Sequence, residues 1–349
     1  MDLFPCFDHA QLGLKLALLS PRFNALVDKH FNGKSELTIW RTIKISKGIR
    51  KKTKLFVEMM GYQFVPFPLP DCPLHSKIRF KFLHISYIDH SVIAFLRSNH
   101  QIFDKRGTNL RLWIPSSYTM DEQRIWDVFV REIWPFFSAN IRHLCFNNGD
   151  DLDNLLRRTS PTILTDLNQL NSIDSFDRLP EAIAFGDDFN VPTPTISADQ
   201  ALSKWLHTPR KDGQPKQLRC GKDYIEQADF NWVNNFKEHF LRANAISSVS
   251  YEIHFSVHVP SIQIVPFELV NEWTKEKLTL AKANENYLDN WIMKRCKIGE
   301  TAAVNWEDGN WCNNVFFWLV GGNDCIGPLS QPPAEEEEAG TRGPSSADK

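Results

Sequence analysis

The sequence predicts an α/β protein: an irregular array of strand–helix repeats, preceded by a short helical module and closed by a C-terminal antiparallel β meander. Three observations carry that reading. Residues 78–176 alternate short strand-like runs with amphipathic helical runs, and Ile85, Leu112, Leu144 and Ile173 follow one another at steps of 27, 32 and 29 residues. No glycine-rich phosphate turn follows any of these strands, so the usual signature of a doubly wound nucleotide-binding domain is missing. From residue 249 the helical runs stop and short alternating runs separated by turn-length breaks take over. A strand, a crossing helix and a second strand at this spacing imply parallel pairing, because an antiparallel neighbour needs only a tight turn. A strand plus a helix every roughly 20–50 residues reads as a solenoid, and this pairing suits the leucine-rich class. The asparagine and leucine positions are irregular here, so the array is leucine-rich-like.

Composition bounds the function. The 349 residues are 42% hydrophobic, enough for substantial cores. A formal charge of −2 and a pI near 6.6 give no global reason to expect nucleic acid or an anionic membrane as partner. No apolar run approaches the roughly 18 residues of a membrane span. Residues 12–19 (LGLKLALL) are short, carry Lys15 and lack a basic start and a cleavage site, so no signal peptide is expected. The seven cysteines are widely spaced without a CxxC pair, and there is no N-x-S/T sequon. That pattern predicts reduced thiols in an intracellular protein, cytoplasmic or nuclear.

Residues 1–31 read as two short helices meeting at a corner. Leu12, Leu16 and Leu19 share one helical face; Ser20 and Pro21 supply an N-cap and a first-turn proline; Phe23, Leu26, Val27 and Phe31 renew the stripe. By spacing alone this is a helical hairpin capping the array. The segment LALLSPRFNALV (16–27) also resembles the second half of an F-box, and the chain through about residue 300 resembles a nematode family of F-box domain-containing proteins. ISYIDHSVIAFL (85–96), SPTIL (160–164), ALSKWLHTPRKDGQPKQLRC (201–220) and IVPFELVNEWTKEKLTL (264–280) carry that likeness. Before the corner only Leu3-Phe4-Pro5 stands for the opening helix, so the F-box is N-terminally shortened, and Pro21-Arg22 replaces the usual arginine pair. The resemblance implies docking on a Skp-type adaptor of a cullin-RING ubiquitin ligase. The positions matching its apolar surface are Leu12, Leu16, Leu19, Phe23, Leu26 and Val27.

Residues 32–77 are expected to form a strand and basic hairpin followed by a linker. Residues 41–54 carry seven basic residues and no acid, with Gly48 near the turn; a solvated strand face is the plainer reading than a docking patch or import signal. Pro66, Pro68, Pro70 and Pro73 suggest a stiff extended linker. The array itself spans 78–246. Within it, Trp126, Val130, Ile133, Trp134 and Phe137 form a core stripe. Trp113, at a strand end, is more readily buried than exposed on a binding face. Residues 177–199 are an acidic, proline-containing insertion, Ser197 or Asp199 caps a helix through Leu206, and residues 228–243 form another amphipathic helix. Residues 247–298 form the meander, and 299–349 a divergent, mostly disordered tail in which residues 314–320 (NVFFWLV) offer an extra strand.

No catalytic or metal motif has the required spacing. His254 and His258 share a strand face without further ligands; residues 213–222 lack the glycine spacing and final hydroxyl of a phosphate loop; Asp150, Asp151 and Asp153 suit a helix start. The expectation is a non-enzymatic binding protein with no cofactor or metal. As an F-box-like receptor, it would recruit the adaptor through residues 1–31 and hold a protein substrate on the array. The alternative is a stand-alone protein-binding repeat scaffold.

Overall fold

A computed structural model describes residues 22, 25–26, 29, 37–47, 53–58, 64–69, 78–100, 107–114, 120–175, 197–221, 231–244, 249–256, 264–283, 290–299, 313–319 and 325–329. Among these residues thirteen strands form one mixed sheet, mostly parallel at its centre. They are β1 (Leu37–Lys47), β2 (Thr53–Glu58), β3 (Phe64–Pro68), β4 (Ile78–Ile85), β5 (Thr108–Trp113), β6 (Ile141–Phe146), β7 (Ser172–Ser175), β8 (Lys216–Gly221), β9 (Tyr251–Ser256), β10 (Phe267–Asn271), β11 (Glu276–Lys282), β12 (Asn290–Lys297) and β13 (Asn313–Trp318). Their order is β10-β11-β12-β9-β8-β7-β6-β5-β13-β4-β1-β2-β3. The eight from β9 to β1 run parallel, and both ends finish antiparallel.

The described helices between the parallel strands are α1 (His90–Ser98), α2 (Met120–Val128), α3 (Trp134–Phe137), α4 (Gly149–Arg158), α5 (Ile163–Asp166), α6 (Ala198–Leu206) and α7 (Asn231–Arg242). Local chemistry sets their ends. Asp89 caps α1 by accepting from the Ser91 and Val92 amides, Asn148 and Asp151 form a capping box at α4, and Ser197 and Gln200 form one at α6. Between α2 and α3 the helix widens into a π turn, Phe129–Ile133. Pro135, in the next turn, has no N–H and its ring crowds the carbonyl four residues back, so the regular ladder cannot pass through.

From β5 to β9 each crossover moves one strand in the same direction. With the usual right-handed crossing, all the helices then fall on one face. The side-chain contacts agree: Phe129 and Phe137 meet Phe317 of β13, Trp205 lies against Lys216 of β8, and Trp232 meets Phe255 of β9. These belong to a single core containing Ile43, Ile45, Leu83, Ile85, Leu110, Leu112, Leu144, Ile173, Leu218 and Ile253. The expected stripe on the long helix is there too: Trp126, Ile133, Trp134 and Phe137 are buried and Val130 packs against them.

Three expectations change. The first and second repeats are not neighbours, because β13 pairs in parallel with both β4 and β5. Residues 313–319 are therefore interior rather than tail: Val315, Phe317 and Leu319 are buried beneath the helices. The stretch 325–329 is stitched to the start of α1, with Ile88 N donating to Cys325 O and Gly327 N to Ile88 O. Second, Pro66 and Pro68 lie in β3, paired with Phe56 and Lys54 at the sheet edge. An edge strand tolerates residues that cannot donate, and prolines there block further pairing; Pro70 and Pro73 lie outside the described residues. Third, the closing strands are not a simple meander. β10, β11 and β12 are consecutive hairpins, but β9 lies beside β12 and parallel to β8, a Greek-key order.

The closing strands are tied to the helical layer by buried polar contacts. Asn271 donates to the Phe240 and Ala243 carbonyls at the end of α7 and accepts from the Trp273 and Thr274 amides. Arg295 pairs with Glu276 at 2.6 Å, the two side chains 7% and 0% exposed, and Arg295 also lies over the Phe240 ring.

Candidate binding face

In a strand, side chains alternate between faces. With the buried apolar set facing the helices, the intervening residues line the other face, against which no described helix packs. The parallel register brings them into transverse rows. The central row runs Lys44, His84, Phe316, Arg111, Cys145, Asp174, Arg219 and His254 across β1, β4, β13, β5, β6, β7, β8 and β9. The row on its N-terminal side carries Thr42, Phe82, Asn314, Asn109, His143, Ser172, Gln217, Glu252 and Lys294. Toward the C-terminal strand ends, Trp318 and Trp113 are paired.

On the β4–β5 side the surface is aromatic. Phe316 is stacked on His84 (4.7 Å, 14°) and has the Arg111 guanidinium 5.2 Å from its centre on β5. Trp113 and Trp318 stack at 4.5 Å and 20° while remaining 38% and 47% exposed. An offset aromatic pair contributes about 0.5–1.5 kcal/mol beyond its buried area, yet more than a third of each of these residues is left to solvent. Trp113 is thus exposed, not buried as its type suggests. Its neighbour across the sheet is another flat ring, and both indoles lie on the face against which no described helix packs.

Toward β9 the surface is a network of paired charges. His143 lies 2.9 Å from Ser172 Oγ and 3.4 Å from Asp174. Burial alone would raise the Asp174 pKa, but the hydrogen bond and charge of His143, with Arg219 and Arg111, outweigh it and hold it below the ordinary carboxylate value. Glu252 is likewise held low against burial by His254 at 3.5 Å and Lys294 at 2.9 Å. A serine, a histidine and an acid in contact have the composition of a hydrolytic relay, but Ser172 is only 7% exposed, so its hydroxyl is not presented to a substrate carbonyl. Burial pushes the Cys145 thiol up to about 11, which makes it a poor nucleophile at neutral pH. What the row offers to solvent is cationic: Lys44, Arg111 and Arg219 are exposed.

Of the adaptor-docking positions, Leu12, Leu16, Leu19, Phe23 and Val27 lie outside the described residues. Leu26 is helical and 43% exposed, alongside exposed Arg22, Ala25 and Lys29. His254 belongs to the Glu252 pair, His258 lies outside the described residues, and Asp150 and Asp151 sit in the first turn of α4 as a helix start requires. Among the described residues no group of three or more His, Cys, Asp or Glu could hold a metal ion, and no helix is long and apolar enough to cross a membrane. Cys145, Cys220, Cys296 and Cys325 are buried free thiols.

The row residues were hidden in the sequence because each is one polar position in a short strand. Taking every second residue of the paired strands would have gathered Arg111 with Trp113, His143 with Cys145, and Ser172 with Asp174. Comparison with protein-family models, curated proteins and solved structures finds no match to this chain.

Proposed function

We propose that this chain is an F-box-like substrate receptor of a Skp-cullin-type ubiquitin ligase: residues 1–31 recruit the adaptor and the helix-free face of the leucine-rich-like array holds a protein substrate. The observation that supports the binding half is the exposed Trp113–Trp318 pair set among exposed cations on a sheet face that no described helix covers. Large aromatics and arginines are the side chains most enriched at interface hot spots. The recruitment half rests on the likeness of residues 16–27 to an F-box and agrees with the exposure of Leu26. The mechanism is proximity, raising the effective concentration of a substrate lysine at the ligase.

A pull-down with a Skp-type adaptor tests recruitment, comparing wild type with Leu26→Asp and with the double change Leu16→Asp, Phe23→Asp. Leu26→Asp alters an exposed position, so folding is expected to survive while an apolar interface loses affinity by an order of magnitude or more. Absence of wild-type binding would leave the stand-alone scaffold as the better reading.

A further inference from the structure

We propose that the central row of the open face recognises an acidic, extended segment of a protein substrate, laid across the strands with one apolar side chain on the Trp113–Trp318 pair. This rests on the reading of that face as the substrate-holding surface and adds the chemistry of what it holds. Lys44, Arg111 and Arg219 are exposed and occupy one register level. Lys44 and Arg111 are three strand spacings apart, as are Arg111 and Arg219, which is about 14 Å in each case. An extended chain advances about 3.3 Å per residue with side chains alternating, so every fourth residue returns to the same side after about 13 Å. Carboxylates at i, i+4 and i+8 therefore meet the three cations in turn.

Trp113 and Trp318 lie two residues further along β5 and β13 than Arg111 and Phe316, about 7 Å toward the strand ends. They adjoin the middle cation and can receive a leucine or aromatic two residues from the middle acid, a position that projects on the same side of the extended chain. The Phe316 ring is already engaged by His84 and Arg111, whereas the two indoles remain exposed for a ligand.

The charge pattern favours a peptide over single-stranded nucleic acid. Asp174 stands between Arg111 and Arg219 in the row, and Glu252 and Glu268 lie on the same face. A strand with a phosphate on every nucleotide would meet repulsion at each of them, whereas spaced carboxylates need not.

The test is fluorescence anisotropy of the full chain with a labelled synthetic peptide bearing Glu at i, i+4 and i+8 and Leu at i+6, on the same side of the extended chain as the acids. Its Gln counterpart and an oligo(dT) strand are the comparison probes. We expect the Glu peptide to bind, the Gln peptide to bind at least about tenfold more weakly, and affinity to fall with salt. Arg111→Glu and Trp113→Ala, both at exposed positions, should each weaken binding by about tenfold or more, with Arg111→Glu rescued by a peptide whose middle Glu is Lys. Equal binding of the Glu and Gln peptides, indifference to Arg111→Glu in a folded variant, or tighter binding of oligo(dT) overturns the inference. So does peptide binding that emerges only when Glu335–338 are changed to Gln, which would make the chain's own acidic run the occupant. Peptide recognition without adaptor binding defeats only the recruitment half of the proposed function; adaptor binding without peptide recognition defeats only this inference.

Discussion

If β13 truly completes the interior of the sheet, removing one side chain from it should cost as much as any core deletion. Phe317 is 1% exposed, with its ring edge-on to Phe129 at 5.1 Å and to Phe137 at 5.9 Å. It lies where the widened helical segment meets the strand that separates β4 from β5. Phe317→Ala removes most of a benzyl group and leaves a cavity that three elements must close together. Such substitutions cost about 3–5 kcal/mol, the upper part applying where surroundings cannot collapse. Here β13 is held on both sides by strand ladders, which limits collapse. The neighbouring Phe316→Ala faces the open side, is only partly buried, and is expected to cost well under half as much. Urea denaturation monitored by tryptophan fluorescence reads both through the shift in midpoint at constant slope. A loss below about 1 kcal/mol for Phe317→Ala, or equal losses for the two phenylalanines, would refute the placement of β13.

Three further outcomes follow from buried polar groups. Glu276→Gln or Arg295→Leu alone should cost about 3–5 kcal/mol, since each strands a buried charge, while the double change to apolar residues should recover much of that; additive losses in a double-mutant cycle would contradict the pairing. Burial pushes the Asp151 pKa up to about 8, with Glu122 and Asp150 adding to the rise. An acid raised on folding contributes stability that is complete below its unfolded pKa and lost as pH rises through about 8; Asp151→Asn should therefore gain on wild type as pH climbs toward 8, and parallel melting profiles would count against it. Burial lowers Lys216 to about 7, with Arg210 adding to the effect. Its contribution grows as pH rises from about 7 toward the ordinary lysine range, so Lys216→Met should flatten the stability profile there, and an unchanged slope would contradict the burial of this amine.

Much of the fold could be read locally. Strand alternation in residues 78–86, 109–114 and 141–147, the acidic helix start at Asp150 and Asp151, and the cap at Ser197 are decided by residues close in sequence, and all appear in the structure. Sheet order was less legible. The apolar run that became β13 reads as a strand, but nothing within it says that its partners are β4 and β5, more than two hundred residues earlier. Pro66 and Pro68 look like linker residues because proline is excluded only from central strands, and edge position is a property of the whole sheet. The open face was hidden for the same reason: Trp113 and Trp318 meet only through β13. The adaptor-docking stretch was the reverse case, a local pattern with a family likeness; of its six docking positions, Leu26 is the one among the described residues.

The central claim is that recruitment and substrate holding are separate surfaces of one chain. Isothermal titration of a purified Skp-type adaptor into the full chain tests it directly. We predict saturable one-to-one binding that Leu26→Asp abolishes and that Trp113→Ala leaves unchanged. No heat of binding to the wild type, or binding that Trp113→Ala removes as readily as Leu26→Asp, would contradict it.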